Sequence, residues 1–442
     1  MAALPETPYE VRCPLHGSIA FGERERRIID HPFFQRLRSI SQLGFSALVY
    51  PGATHTRFSH ALGVMGLAGR IFDQIAAAPG GGLAGALSAK SIRYCRQTLR
   101  FAGLLHDVGH PPFSHSFEAL LPALGTLPLP RNWFSDFDPG RQATHEDFSV
   151  AVIHALAGGS KGLLSLEEAQ DIAALVHGSV APTSALTEPD GRAERNIYPL
   201  LKQIVSGEID ADRMDYLPRD ALFAGVTYGY FDQERLISAL TCVDTGQHLT
   251  LALDHSALYT YENFLMTRFH MAMQVYLHKT VLVFEHYLHR AVREGEIECP
   301  LDGGLEEFLA AREDIVSGKL FAARARRWAG RIVERRPFPR LIQLKDGTAP
   351  EQRELILRTL AQAEIETIHV REEKRLSSLG TVANGDAPEI LVREAALGRQ
   401  SHRPLHEVSV LLERYNQVFT IENVYCAPQH YRKGIELLRE VV

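Results

Sequence analysis

Through most of the first 290 residues, apolar side chains recur at intervals of three and four, the spacing that gives a helix one buried face. Long stretches of this kind run over 147–157 and 259–292. A further helix is expected to begin at Thr56 or Ser59 and carry Leu62 and Leu67 inward, another to end at Leu104-Leu105, and a third to cover 113–121. Gly80-Gly81-Gly82 and Pro128-Leu129-Pro130 punctuate the pattern as loops. Residues 247–253 alternate in the manner of a strand. Beyond about residue 300 the character changes: an amphipathic run over 305–332 gives way to short strand-like runs at 365–370, 389–392 and 418–424. The pattern predicts a mostly α protein, with a helical core over residues 1–295 and a smaller C-terminal α+β lobe over 296–442. No internal repeat or low-complexity tract interrupts it.

Composition narrows the class without naming a chemistry. A chain of 442 residues with 45% hydrophobic content can bury a large core or more than one. Its five cysteines, at 13, 95, 242, 299 and 426, form no CxxC pair and leave an odd number, which argues against a disulfide framework or a cysteine zinc site. A reducing, cytoplasmic setting is expected, and no apolar run is long enough to cross a bilayer. The net charge of -6 disfavours a broad nucleic-acid surface. Arginines at 324, 326, 327, 331, 335, 336 and 340 do surround Trp328 and Phe338, a mixture able to grip phosphates or stack on bases. A solvated helix face is the preferred reading of that cluster.

The chemistry begins at His106-Asp107, an imidazole beside a carboxylate at the end of an apolar helix, with His110 and His115 close behind. Both groups are good ligands for divalent metals, but two ligands hold a metal weakly and leave its identity open. Upstream, Arg57 and His60 lie within one helical turn of each other. Downstream, Asp210-Ala211-Asp212-Arg213-Met214-Asp215-Tyr216 is unusually acidic for a segment with large apolar residues, and its carboxylates at 212 and 215 share a helix face.

In order along the chain stand Ile28-Ile29-Asp30-His31-Pro32-Phe33-Phe34-Gln35-Arg36-Leu37-Arg38, Gln42-Leu43-Gly44, and Pro51 through His60 with its Thr54-His55-Thr56-Arg57-Phe58-Ser59-His60 core. After them come His106 through His115, Thr144-His145-Glu146, and Asp210 through Tyr216. This series, spanning about the first two-thirds of the chain, resembles the HD-domain phosphohydrolases. Within them it is similar to the deoxynucleoside triphosphate triphosphohydrolases, the group that includes the SAM-and-HD-domain protein and the bacterial dGTPases.

The resemblance implies a set of roles. His60, His106, Asp107 and Asp212 would ligate one divalent ion, of a kind (Mn, Mg, Fe, Co, Ni or Zn) that the residues do not settle. His115 would act as general acid or base, Glu118 would orient it, and His110 and His145 would complete the histidine relay. Arg57, Arg213, Arg268 and Lys279 occupy phosphate-contact positions. Tyr216 and Tyr276 would pack on the sugar and phosphates, and Gln42 and Asp220 would hold the 3'-hydroxyl. Asp30 and Arg38 match residues that read guanine at an effector site between subunits, which brings a GTP or dGTP effector and a homo-oligomer, dimer or tetramer, among the expectations.

Three departures bear on this picture. Arg213 stands where relatives often carry Lys. Tyr276-Leu277-His278-Lys279 replaces a Tyr-Gln-His-Lys pattern, so a partner for the base edge becomes apolar. Cys13-Pro14-Leu15-His16-Gly17 replaces Asp-Pro-x-His-Gly and lacks its acid. The expected activity is metal-dependent hydrolysis of a dNTP at the α-phosphorus, releasing deoxynucleoside and inorganic triphosphate. The alternatives are another HD phosphohydrolase, acting on a nucleoside monophosphate or a modified nucleotide, and a non-catalytic nucleotide sensor or nucleic-acid-binding protein.

Overall fold

The computed structural model describes residues 9–78, 83, 87–158, 162–299, 304–345, 347–375, 377, 389–396, 399–415 and 418–441. Gly80-Gly81-Gly82 lies outside them. Helices dominate, as the apolar spacing predicts. Arg57–Ala77 starts after Thr56, and Ala89–Leu105 starts after Ser88, whose hydroxyl accepts from Ser91 N at 3.2 Å. These two helices pack against each other through fully buried residues that include Val64, Ala68, Leu99 and Ala102. Helix Ala211–Ala224 lies on the other side of Arg57–Ala77. It contains Pro218, which has no N–H to offer the carbonyl one turn back, and Gln233 Nε2 donates to that Met214 oxygen at 2.6 Å instead. Gly225, with φ +71°, ends the helix in the left-handed conformation.

An antiparallel hairpin, Tyr9–Cys13 with Gly17–Phe21, precedes the helices. A four-stranded sheet joins Leu240–Asp244, Leu249–Asp254, Leu391–Ala396 and Arg399–Pro404 in that order; its one parallel pairing, between the second and third strands, brings the late chain onto the helical core. A three-stranded antiparallel sheet places Val418–Cys426 between Arg340–Leu344 and Thr367–Arg375. One continuous hydrophobic cluster runs from Cys13 to Ala427, and a small satellite around Leu341, Ile356, Leu360 and Leu438 sits under the second sheet.

Three predicted helices differ in extent. The 259–292 stretch is two helices, Leu258–Met271 and Lys279–Arg293, separated by a π-helical turn at Ala272–Tyr276, a widened turn that periodicity alone does not reveal. The 305–332 run is three short helices, Leu305–Ala310, Glu313–Ala322 and Arg327–Val333. The 113–121 helix shrinks to His115–Glu118, because Phe113 and Ser114 take φ of +57° and +54° and turn the chain sharply before it.

Close backbone approach fixes helix His145–Ala157 against the His106–His110 segment. A Cβ at Gly109 would lie 2.1 Å from His145 O and 2.2 Å from Ser149 N, whereas a Cβ at Gly66 would meet only the Ile19 side chain, at 3.3 Å. Gly109→Ala is therefore expected to destabilise the protein by about 3 kcal/mol, at the upper end for overpacking, and Gly66→Ala by well under half of that. Urea denaturation of both variants checks this, and equal midpoints would contradict the packing described.

Candidate metal centre and active site

Three helix termini deliver the metal-binding side chains. His60 projects from the first turn of Arg57–Ala77, and His106 caps the end of Ala89–Leu105. Asp212 lies in the first turn of Ala211–Ala224, which Asp210 caps by accepting from Arg213 N at 2.8 Å. Each imidazole is oriented from behind. His60 Nδ1 donates to Asp215 Oδ1 at 2.7 Å, and His106 Nδ1 donates to Gly103 O at 2.9 Å, so both Nε2 lone pairs face forward.

The forward atoms converge. His60 Nε2 lies 2.9 Å from Asp212 Oδ1 and 3.6 Å from Asp107 Oδ2. His106 Nε2 lies 3.3 Å from Asp107 Oδ1 and 3.5 Å from Asp212 Oδ1. Ligand atoms on one ion with bonds of about 2.1 Å stand roughly 3.0–3.4 Å apart in octahedral or tetrahedral geometry, and these separations straddle that range. Both Nε2 atoms are buried and without a hydrogen-bond partner, which is costly for a polar atom unless something else occupies its lone pair. Burial opposes a proton on His60, yet the Asp212 and Asp215 carboxylates outweigh it and lift its pKa to about 10. The pocket is thus built to hold positive charge, and a divalent cation fits the donor set of His60, His106 and Asp212, with Asp107 beside it and paired with Arg57.

Asp107 connects this group to a second one. Burial opposes its ionisation, but the Arg57 guanidinium paired with it, helped by His106 and His110, holds it well below the usual carboxylate range. His110 Nε2 lies 3.3 Å from Asp107 Oδ1, and its ring stacks on His145 with centroids 3.8 Å apart. Burial, reinforced by Arg57 and His145, pushes His110 well below the ordinary imidazole range and keeps it neutral. Glu118 accepts from His145 Nδ1 and lies 3.3 Å from His115 Nδ1. Burial raises the Glu118 pKa, but these two histidines outweigh it and hold the group ionised. The His115 side chain is 66% exposed, so it alone of this cluster reaches freely into the cleft.

The loop that carries His115 is held at several points. Arg36 Nη1 donates to His110 O at 2.8 Å, Phe113 N donates to Glu313 Oε2 at 3.0 Å, and Ser114 Oγ donates to Ser41 O at 2.6 Å. Arg57 Nε donates to Ser114 Oγ at 2.8 Å, tying the same loop to Asp107. Helix His145–Ala157 is anchored by a Thr144–Asp147 capping box, with Asp147 also bound by Arg141 at 2.7 Å.

A cleft of 720 Å³ joins both groups. Arg57, Arg213 and Arg268 line it, paired respectively with Asp107, Asp210 and Glu208. Tyr276, at the end of the π turn, donates through its hydroxyl to Asp220 Oδ2 at 2.8 Å and meets Tyr216 edge-on at 6.1 Å between centroids. Gln42 lines the same wall, its Oε1 buried and without a partner among the described residues. Lys279 is exposed and does not line the cleft. Asp30 and Arg38 line a separate cleft of 460 Å³ with Tyr9, Arg26 and Phe58; there Arg38 lies over the Phe58 ring at 3.6 Å, and Asp30 pairs with Arg26 at 3.2 Å.

Sequence reasoning missed several residues. His55 holds Asp220 Oδ1 through Nε2 at 2.8 Å while stacking on Phe223; it sits inside the Pro51–His60 block but was given no role there. Lys374 and Arg375 line the cleft from the end of strand Thr367–Arg375, a segment read only as a strand. Glu285 also lines the cleft and accepts from Ser116 Oγ at 2.8 Å.

Residues 57–220 match the HD domain model. The chain carries an HD domain over those residues. Residues 231–375 match a second model, the HD associated region. An uncharacterized protein of Methanocaldococcus jannaschii is 30% identical over 292 residues, covering 66% of this chain and 51% of that protein. The deoxynucleoside triphosphate triphosphohydrolase SAMHD1 of Homo sapiens is 32% identical over 289 residues, covering 62% of this chain and 42% of that enzyme. This HD-domain chain thus spans about half the length of the curated relatives it matches. Among solved structures, a hypothetical protein from Aquifex aeolicus aligns with a TM-score of 0.73 at 29% identity, over 97% of this chain and 99% of that one. A phosphohydrolase from Bacteroides thetaiotaomicron shares the fold, with a TM-score of 0.67 at 23% identity over 95% of this chain and 99% of that one. Among the described residues of this HD-domain chain, no helix is long and apolar enough to cross a membrane.

Burial pushes Glu285 up to about 7 from an ordinary 4.5. A carboxyl whose folded pKa is raised binds more protons folded than unfolded between those values, so its ionisation lowers stability as pH rises from about 4.5 to 7 and costs a constant amount above. Glu285→Gln should therefore leave stability unchanged near pH 4.5 and raise it by ~1–2 kcal/mol at pH 8. Parallel melting-temperature profiles for variant and wild type across that range would contradict this assignment.

Proposed function

We propose that this chain hydrolyses deoxynucleoside triphosphates at the α-phosphorus, releasing deoxynucleoside and inorganic triphosphate. One observation carries the reading: a single cleft places the metal-binding group beside an exposed, carboxylate-oriented histidine and five cations, Arg57, Arg213, Arg268, Lys374 and Arg375. A triphosphate needs several cations, of which Arg57, Arg213 and Arg268 are paired with carboxylates before it binds and Lys374 and Arg375 stand at the cleft edge. The similarity to SAMHD1 supports the same substrate class.

In this reading His60, His106, Asp107 and Asp212 hold the divalent ion, whose chemistry is Lewis acidity toward a phosphoryl oxygen and water. His115, oriented by Glu118, carries the proton at the leaving 5'-oxygen. His110 stays neutral and, stacked on His145, keeps the relay rigid. The arginines exchange their carboxylate partners for phosphate oxygens when substrate enters. Tyr276, fixed by Asp220, lines the sugar end, where a close aromatic wall disfavours a 2'-hydroxyl. Gln42 and Asp220 lie beside it as partners for the 3'-hydroxyl.

Activation by a guanine nucleotide, and an accompanying assembly of subunits, form the finer part of the proposal and rest on Asp30 and Arg38 in the second cleft. The reading as a nucleic-acid binder finds little support in the 324–340 arginines. Arg327 and Arg331 lie over Trp328 and Phe338 of the same segment, Arg335 donates to Leu48 O, and Arg336 pairs with Glu334.

Wild-type protein loaded in turn with Mn, Mg, Fe, Co and Ni should release deoxynucleoside and triphosphate from at least one dNTP, with a guanine nucleotide present or absent, and should not act on dNMPs. His115→Ala should lower kcat about 10²–10⁴-fold while leaving metal content intact, the range for loss of a general acid. Asp212→Asn should lose the metal itself. Equal turnover by wild type and His115→Ala would overturn the catalytic role.

A further inference from the structure

The metal group is not completed by the residues around the cleft. Asp215, which orients His60, is fully buried, and it collects four hydrogen bonds. Oδ1 accepts from His60 Nδ1 at 2.7 Å and Arg219 Nε at 2.6 Å, and Oδ2 accepts from Arg219 Nη2 at 2.8 Å and His16 Nε2 at 2.6 Å. His16 comes from the tip of the N-terminal hairpin, more than forty residues before His60, and its side chain is 7% exposed. It does not line the cleft. From the same hairpin, Cys13 Sγ accepts from Arg219 Nη2 at 3.4 Å.

From this chain of contacts we infer that His16 is a positioning residue for the metal centre, setting the ring of His60 through the Asp215 carboxylate. An imidazole presents its Nε2 lone pair to a metal only while Nδ1 carries the proton and the ring plane is fixed, and both conditions are imposed here by Asp215. Asp215 can impose them only if its own plane is fixed. Arg219 clamps one edge, and His16 closes the side of Oδ2 that the guanidinium leaves open. The metal group thus extends through two buried contacts into a hairpin turn that lies outside the cleft.

The inference concerns the metal centre and does not depend on which nucleotide is hydrolysed, so Mn²⁺ alone serves as the probe. Full-length wild type, His16→Ala, His16→Gln and His16→Asn are titrated with Mn²⁺ and free ion is read by its EPR signal, with melting temperatures of the metal-free proteins taken alongside. The Gln amide nitrogen reaches the position of His16 Nε2, whereas that of Asn reaches only the position of Nδ1. Mn²⁺ affinity is expected to fall about 10-fold in His16→Ala and His16→Asn, the lower end of the range for losing a ligand's direct partner because His16 acts one contact further out, and to stay within about three-fold of wild type in His16→Gln. A purely structural role for His16 would shift melting without this split in affinity. Mn²⁺ affinity within two-fold of wild type in folded His16→Ala would overturn the inference. Should that variant not fold, equal affinities of His16→Gln and His16→Asn would overturn it just as directly.

Discussion

The buried ion pair of Asp215 and Arg219 is the contact on which the rest of the site depends. Burying two charges costs several kcal/mol each, and only near-ideal geometry with every remaining lone pair used offsets that cost. Here the pair is bidentate and the two free positions on the carboxylate are filled by His16 and His60, while Arg219 Nη1 is left buried without a partner among the described residues. Both partners lie within helix Ala211–Ala224, four residues apart, and they press against helix Arg57–Ala77 at Gly63. A Cβ there would lie 1.8 Å from Asp215 Oδ2, so only glycine leaves room for the pair. One anion therefore docks two helices, anchors the N-terminal hairpin and selects the tautomer of a metal ligand. Removing it would leave Arg219 charged and unpaired in the core, which is why its effect would reach fold and chemistry together.

Asp107 plays the complementary part on the open side. It faces His60 and His106 on one flank and His110 on the other, while Arg57 neutralises it. The same carboxylate thus borders both the group suited to a metal ion and the cluster of His110, His115, Glu118 and His145. Electrostatics separate the two regions. Carboxylates around His60 favour positive charge, whereas burial with Arg57 nearby excludes it from His110. A cation and a neutral, stacked imidazole can then stand within one cleft.

Much of this was legible in the sequence, because the ordered blocks from Arg57 to Asp220 place chemically distinctive residues at helix ends, where capping and apolar spacing fix the register. The resemblance of those blocks to a known family, not spacing alone, singled out His60, His106, Asp107 and Asp212, and the fold brings the four side chains near one another. What the sequence hides is direction. Asp212 and Asp215 share a helix face by spacing, yet one points to the metal-binding group and the other into the core behind His60. The widened turn at Ala272–Tyr276 carries Tyr276 to Asp220 and leaves Lys279 outside the cleft, a displacement that a regular helix would not produce. Lys374 and Arg375 reach the cleft through sheet pairing with Val418–Cys426, a long-range contact that local pattern does not encode. Cys13-Pro14-Leu15-His16 looks like an eroded motif by itself, and only the fold shows Cys13 and His16 turned toward Arg219 and Asp215. The same hairpin also lines the cleft of Asp30 and Arg38 with Tyr9 and Val11, while it reaches the metal-binding group only from behind, through Asp215.

In the proposed reaction water attacks the α-phosphorus in this cleft with the 5'-oxygen as leaving group. Turnover of a dNTP in ¹⁸O-labelled water, with products separated and weighed by mass spectrometry, tests it most directly. The account predicts one labelled oxygen in the inorganic triphosphate and none in the deoxynucleoside. Label in a deoxynucleoside monophosphate, or in single phosphate released from the γ-position, would contradict it.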